Sequence, residues 1–133
     1  MPSTTRDQAL ELAKTFRELS NQLGDYRFEH WGDLTPGQRK DIEDTEWTLL
    51  NHSSDFVTTA VGIDLDNVKK DLDAITRATT KAQKVLTRIT RTKDILKVAA
   101  ALVVLGGAIA SNNPGTILAA AGDLYTTSEE ALA

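Results

Sequence analysis

The most regular pattern of apolar positions lies in the second half of the chain, where the spacing alternates between three and four residues. Eight of the ten core-type positions in this run are apolar. The ten positions are Leu65, Val68, Leu72, Ile75, Thr79, Ala82, Leu86, Ile89, Lys93 and Leu96. A heptad repeat of this kind predicts one long helix from about residue 64 to 110. The alternative is a break near Thr90-Arg91-Thr92, with Thr92 as N-cap of the following helix.

Two further amphipathic helices are predicted before this run. A stripe formed by Leu12, Phe16, Leu19 and Leu23 predicts a first helix from about Thr5 to Leu23, with Gly24 as its C-cap. The sequence Thr35-Pro36-Gly37-Gln38 has the composition of a capping box and predicts the start of a second helix. Apolar residues then repeat every seven positions, at Ile42, Leu49, Phe56 and Ile63, and predict that this helix lasts to about Val61.

Residues 24–35 are interpreted as a connector because Gly and Asp residues punctuate them. Three aromatic residues, Tyr26, Phe28 and Trp31, lie within it. Large aromatic side chains are usually buried, so we expect them to close one end of the helical assembly. A patch that binds a partner is the alternative.

The segment from Val98 to Gly122 contains no charged residue in 25 positions. Its first part, up to Ala110, is apolar on every side, which indicates burial either in protein or in lipid. Residues 111–115 interrupt it and predict a helical hairpin with two short apolar arms. Small residues four positions apart, such as Gly106 and Ala110, would let the two arms approach closely. We expect the segment to be core, in which case Val104→Asp should unfold the protein. If it is instead a hairpin held ready for lipid, the same substitution should leave folding intact and abolish vesicle binding.

Together these patterns predict an all-α fold in a single domain over residues 1–133. We expect a four-helix bundle, or five helices if the long one breaks, with one long heptad-patterned helix and a C-terminal apolar helical hairpin. The absence of cysteine excludes thiolate chemistry and disulfides. The low aromatic content, at 5%, favours helix packing over a sandwich or barrel.

Charge is unevenly distributed along the chain. Residues 1–63 contain 6 basic and 11 acidic residues, whereas residues 77–97 contain seven basic residues and Asp94 alone as an acid. We expect the acidic first half to pair with this basic stretch inside the bundle. The stretch lacks interleaved aromatic residues and the net charge is −4, which argues against nucleic-acid binding. Residues 1–5 show no apolar targeting segment, which predicts a cytoplasmic protein, or one released without a signal peptide.

Candidate chemistry is sparse. The only two histidines are His30 and His52, and Asp55 follows His52 at a spacing that puts both on one side of a helix. Nothing places a second pair of ligands beside them, so no metal site is assigned. No nucleophile or phosphate-binding motif is present. The sequence therefore predicts a protein that is not an enzyme and that needs no cofactor.

The leading functional hypothesis is a helical interaction module that self-associates or docks on a protein partner through the long helix. The heptad stripe would make the contact, because the two shorter helices cannot cover its full length. The partner-binding residues would be Leu65, Val68, Leu72, Ile75, Leu86, Ile89 and Leu96.

The alternative hypothesis is a membrane-active protein that inserts the 98–122 hairpin into lipid. Over residues 64–125, a long amphipathic helix followed by an uncharged hairpin loosely resembles the head of α-helical pore-forming toxins, in pattern and without a shared motif. Basic residues would bind anionic headgroups and apolar ones would enter the lipid. The lipid-contacting residues would be Arg88, Arg91, Lys93, Lys97, Val103, Val104, Leu105, Ile109, Ile117 and Leu118.

Overall fold

A computed structural model describes residues 5–58, 72–88, 91–111 and 114–133. Over these residues the protein is all-helical, and five helices pack against one another as a bundle. They are α1 (Thr5–Glu29), α2 (Pro36–Thr58), α3 (Leu72–Arg88), α4 (Thr92–Ser111) and α5 (Pro114–Leu132). A short 3-10 turn, Trp31–Asp33, lies between α1 and α2. The predicted all-α bundle is confirmed, in its five-helix form.

Helix α2 begins at the predicted capping box. The backbone N–H of Gln38 donates to Thr35 Oγ1 at 3.1 Å, and the backbone N–H of Thr35 donates to Gln38 Oε1 at 2.9 Å. Each side chain thus satisfies a backbone donor that the helix start would leave unpaired. The described part of α2 ends at Thr58, so its predicted end near Val61 lies outside the described residues.

Helix α1 continues six residues beyond its predicted end at Leu23. Gly24 is buried inside the helix instead of capping it. It packs closely against α2, since a Cβ on this residue would lie only 2.9 Å from Glu46 Oε1. Tyr26, two residues later, is also buried, and its hydroxyl lies 3.0 Å from the hydroxyl of Thr92. Packing against α2 and α4 therefore extends the helix past a residue that often ends one. The connector shortens from residues 24–35 to residues 30–35.

The predicted long helix is divided into α3 and α4. Arg91 is not helical, and its carbonyl accepts the first backbone bonds of α4, from Asp94 at 3.0 Å and Ile95 at 3.1 Å. Arg91 thus has the N-cap position that the sequence assigned to Thr92, whose hydroxyl contacts Tyr26 instead. The heptad positions Leu65, Val68 and Ile89, and the side chain of Leu72, lie outside the described residues.

The core is formed by apolar side chains from all five helices. The α1 stripe of Leu12, Phe16, Leu19 and Leu23 is buried as predicted, and so are Ile42, Leu49 and Phe56 of α2. Helix α1 packs on α2, α3 and α4 pack on α5, and α2 packs on α4. The α4–α5 hairpin is thus held between the α1–α2 pair and α3, and only part of its surface reaches solvent.

Candidate interaction surfaces

The four basic residues expected to contact lipid all reach solvent. Arg88 ends α3, Arg91 precedes α4, and Lys93 and Lys97 lie on the first turns of α4. Arg91 is already engaged: its Nε lies 2.7 Å from Asp94 Oδ2, and its Nη2 donates to the carbonyl of Ala131. For the other three, no carboxylate among the described residues lies within ion-pair distance.

The expected pairing between the acidic first half and the basic stretch is not observed over the described residues. The ion pairs there form within one half of the chain, as in Arg27 with Glu46 and Arg91 with Asp94. A polar contact that does join the two halves is neutral on one side, with Gln83 Nε2 donating to Glu18 Oε2 at 3.4 Å. Among the described residues, no carboxylate lies within ion-pair distance of the exposed Lys93 and Lys97 of α4.

One side of α4 is open to solvent along its whole length. We call this side the open stripe; its members recur every three or four residues, and all except the half-buried Gly107 are exposed. It consists of Lys93, Lys97, Ala100, Val104, Gly107 and Ser111. Val104 retains 58% of its exposure, so its predicted place in the core is wrong. The stripe is positive at the start of α4 and uncharged for the remaining three turns.

The opposite side of α4 forms part of the core. Among the residues expected to contact lipid, Leu105 and Ile109 of α4 and Ile117 of α5 are buried, and Val103 is half-buried. By length and composition α4 could cross a membrane, yet core helices of soluble proteins pass the same test. Lipid could reach these three buried side chains only if α4 left its present neighbours.

Leu118, the other large apolar side chain that is exposed in the described part of the hairpin, lies in a separate place. It is 53% exposed and lines a groove of about 240 Å³ between α3 and α5, together with Arg77 and Tyr125. Lys81 Nζ lies 5.6 Å from the centre of the Tyr125 ring, within the range of a cation–π contact. The groove is thus lined mainly by apolar and small residues together with the basic Arg77, and Lys81 lies nearby.

The apolar positions of the heptad stripe that the structure describes are not available to a partner, in contrast to the exposed Lys93. Ile75 and Leu86 of α3 are fully or almost fully buried, and Leu96 of α4 is half-buried against the same core. The partner-binding surface predicted from the sequence is therefore used inside the chain at these positions. The heptad pattern correctly predicted that these apolar side chains are buried. It could not predict that helices of the same chain, and not a partner, bury them.

The predicted closure of the bundle by aromatic side chains holds only for Tyr26, which is buried and stacks on His30. Phe28 and Trp31 are 68% and 46% exposed, and their rings stack with centres 6.3 Å apart. Guanidinium groups cover them in part: the central carbon of Arg27 lies 4.7 Å from the Phe28 ring centre. Trp47 on α2, which the sequence did not single out, is 62% exposed.

Both histidines contact backbone or aromatic groups of the helical bundle. His30 contacts the carbonyl of Tyr26 through Nδ1. The ring of His52 forms a cluster with those of Phe16 and Phe56, which also contact each other. In the parts of the chain that the structure describes, no three His, Asp or Glu side chains are grouped as metal ligands would be.

No protein-family model, no curated protein and no solved structure matches this chain.

Proposed function

We propose that this protein is a non-enzymatic helical module that associates with anionic membrane surfaces through α4. The observation that supports the proposal is the open stripe, in which Lys93 and Lys97 continue into three turns of uncharged small and apolar residues. A helix lying at a membrane surface requires this combination of cationic and apolar groups on one side. The sequence could not locate the stripe, because α4 is apolar all round beyond Lys97.

The two lysines account for attraction and orientation. Each Lys or Arg near an anionic membrane surface contributes about 1 kcal/mol to binding. Their long apolar stems can lie along the helix while the ammonium groups contact headgroups. Asp94 and the α5 carboxylates Glu129 and Glu130 lie at the same end of the bundle, where Arg91 joins α4 to α5. These acidic groups and the net charge of −4 both oppose binding to an anionic membrane. Attraction to the membrane therefore depends on the position of the two lysines on the open stripe.

The apolar side of α4 makes deeper insertion energetically feasible. Lipid chains are as apolar as the leucine side chains of a protein core, so moving Leu102 or Leu105 from core to lipid changes its hydrophobic free energy little. The cost of insertion is then mainly the packing lost between α4 and its neighbours. Surface attachment through the open stripe needs no such change.

Vesicle flotation tests the proposal directly. The protein should float with vesicles of equal parts phosphatidylglycerol and phosphatidylcholine, and not with phosphatidylcholine alone. Reversing both charges in Lys93→Glu/Lys97→Glu should weaken binding at least about tenfold. The matched control is Lys14→Glu/Arg17→Glu, which makes the same charge change at two exposed positions of α1. Absence of binding at low salt, or an equal loss in the control, would reject the proposal.

Association with a protein partner or with a second copy is the second candidate function. Its support is the exposed aromatic surface formed by Phe28 and Trp31, since exposed aromatic rings are enriched in protein interfaces. The contact would then lie at the α1–α2 turn instead of on the heptad stripe. Sedimentation velocity of the wild type and of Phe28→Ser/Trp31→Ser distinguishes this candidate: a strict monomer in both, with no partner recovered, counts against it.

A further inference from the structure

His52 lies at the point where α2 meets the apolar helix α4. Its half-buried imidazole stacks on Phe56, with ring centres 6.3 Å apart, and meets the edge of Phe16 of α1 at 6.4 Å. From the other side it contacts the backbone of Gly106. A Cβ on Gly106 would lie 2.5 Å from His52 Cδ2 and 2.9 Å from Phe16 Cε2. Only glycine lets α4 approach these two rings so closely.

The imidazole is held in surroundings that suit its neutral form. Its Nδ1 is buried and has no hydrogen-bond partner among the described residues. A protonated imidazole carries a donor on each ring nitrogen, and a buried donor without an acceptor is costly. Burial lowers the pKa of His52 below its ordinary value of 6.5, and the Asp55 carboxylate opposes this effect only in part.

The elements packed against His52 offer little to stabilise a positive charge. Helix α4 contributes Gly106, and it carries no charged residue from Val98 onward. Helix α1 contributes Phe16, and its charged neighbours in sequence, Lys14, Arg17 and Glu18, are exposed. On α2 itself, Asp55 is the group whose charge acts on the ring.

We propose that His52 is a pH-dependent latch on α4, which holds the helix against α2 when neutral and releases it when protonated. Release would uncover the apolar side of α4 that carries Leu102, Leu105 and Ile109. That an anionic membrane receives this side rests on the proposed function. Helix α4 also packs on α5 and α3, so the contact between His52, Phe16 and Gly106 accounts for the pH dependence of the opening and not for its whole cost.

The direction of the pH effect follows from where the proton binds more tightly. In the closed form His52 resists protonation, whereas in the open form its ring is solvated and has the ordinary affinity of histidine. As the pH falls through the ordinary pKa, near 6.5, the open form takes up a proton that the closed form does not. The open population should then rise by up to about tenfold per pH unit, the limit for one titrating group.

Hydrogen exchange of the α4 amides, corrected for the intrinsic pH dependence of exchange, measures this opening without lipid. We expect α4 protection to fall in the wild type between about pH 8 and about pH 5. In His52→Phe, which keeps an aromatic ring beside Phe16 and Phe56 but cannot titrate, it should stay constant. His52→Gln serves as a second non-titrating variant in case the larger ring does not fit. His30→Gln removes the other histidine and should behave as the wild type.

A second measurement, flotation with the anionic vesicles described above, separates the latch from the membrane function. The wild type should bind more strongly near pH 5 than near pH 8, and the His52 variants should bind equally at both. Opening in solution without vesicle binding would reject the membrane function and leave the latch intact. Binding that does not depend on His52, together with α4 protection that is constant or falls equally in all variants, would overturn the latch.

Discussion

Gly106 and Gly107 are adjacent in α4, yet their surroundings differ completely. A Cβ on Gly106 would collide with the rings of His52 and Phe16, whereas a Cβ on Gly107 would have no atom within 4 Å. The sequence suggested that small residues here let the two arms of the hairpin approach each other. In the structure, the close approach at Gly106 is made by α1 and α2 instead.

We therefore expect opposite effects from one substitution at the two positions. Gly106→Ala should lower the free energy of unfolding by about 1–3 kcal/mol, because a buried ring must move to admit the methyl group. Gly107→Ala should raise it by about 0.5–1 kcal/mol, because alanine favours the helix and meets no obstacle. Urea denaturation of the two variants measures both changes, and equal effects would show that the contact with His52 is not tight.

At the scale of elements, the structure gives α4 two distinct sides. Val104 lies on the open stripe, while its neighbour Leu105 is fully buried. A helix that is apolar all round shows no preferred side in its sequence, so the sequence favoured the core for Val104 and offered lipid contact as the alternative. Ala100, a member of the open stripe, was missed for the same reason.

The two sides of α4 can be separated with one charged residue. Val104→Asp should leave helical content and cooperative melting intact, because the carboxylate stays in water, while it weakens binding to anionic vesicles. Leu105→Asp should unfold the protein, since an unpaired carboxylate in the core costs several kcal/mol of a total stability of about 5–15 kcal/mol. Circular dichroism melting of both variants tests this, and loss of folding in Val104→Asp would contradict the position of the open stripe.

At the scale of the whole molecule, an ion pair joins α1 to α2. Arg27 Nε of α1 lies 2.7 Å from Glu46 Oε2 of α2, and both side chains are largely shielded from solvent. This hydrogen bond to Glu46 is the main reason that the pKa of Arg27 is raised, so the guanidinium remains charged. Gly24 makes room for the carboxylate, which explains a glycine in the middle of a helix.

A double-mutant cycle with Arg27→Met and Glu46→Gln should therefore give a coupling free energy of roughly 1–3 kcal/mol in denaturant unfolding. The pair Lys40–Asp44 is the internal control: its nitrogen and oxygen lie 3.3 Å apart, but its side chains are 76% and 61% exposed. Water screens such a pair, and its coupling should stay near 0.3–0.5 kcal/mol, roughly the value for exposed helix pairs. Similar coupling in both cycles would mean that the Arg27 pair is not shielded.

The sequence by itself determined the helical class, the capping box at Thr35 and the buried stripes of α1 and α2. These features depend on residues close in sequence: a cap bonds to its own helix, and an apolar stripe repeats with the helical turn. The hairpin of α4 and α5 was also predictable from the sequence, because the uncharged run and the Pro-Gly interruption that define it involve residues close together in the chain. The candidate surface was predictable only in part, through the exposed lysines that precede the apolar run.

Only the tertiary structure decided which side of α4 is covered, how far α1 extends, and where the heptad stripe is buried. Each of these depends on a partner distant in the chain: Phe16 and His52 approach Gly106, and Thr92 meets Tyr26. Periodicity shows that a side chain will be buried but not which element covers it. In the part of α4 beyond Lys97, which is apolar all round, it cannot show even the side, because every orientation of the helix about its axis would bury similar residues.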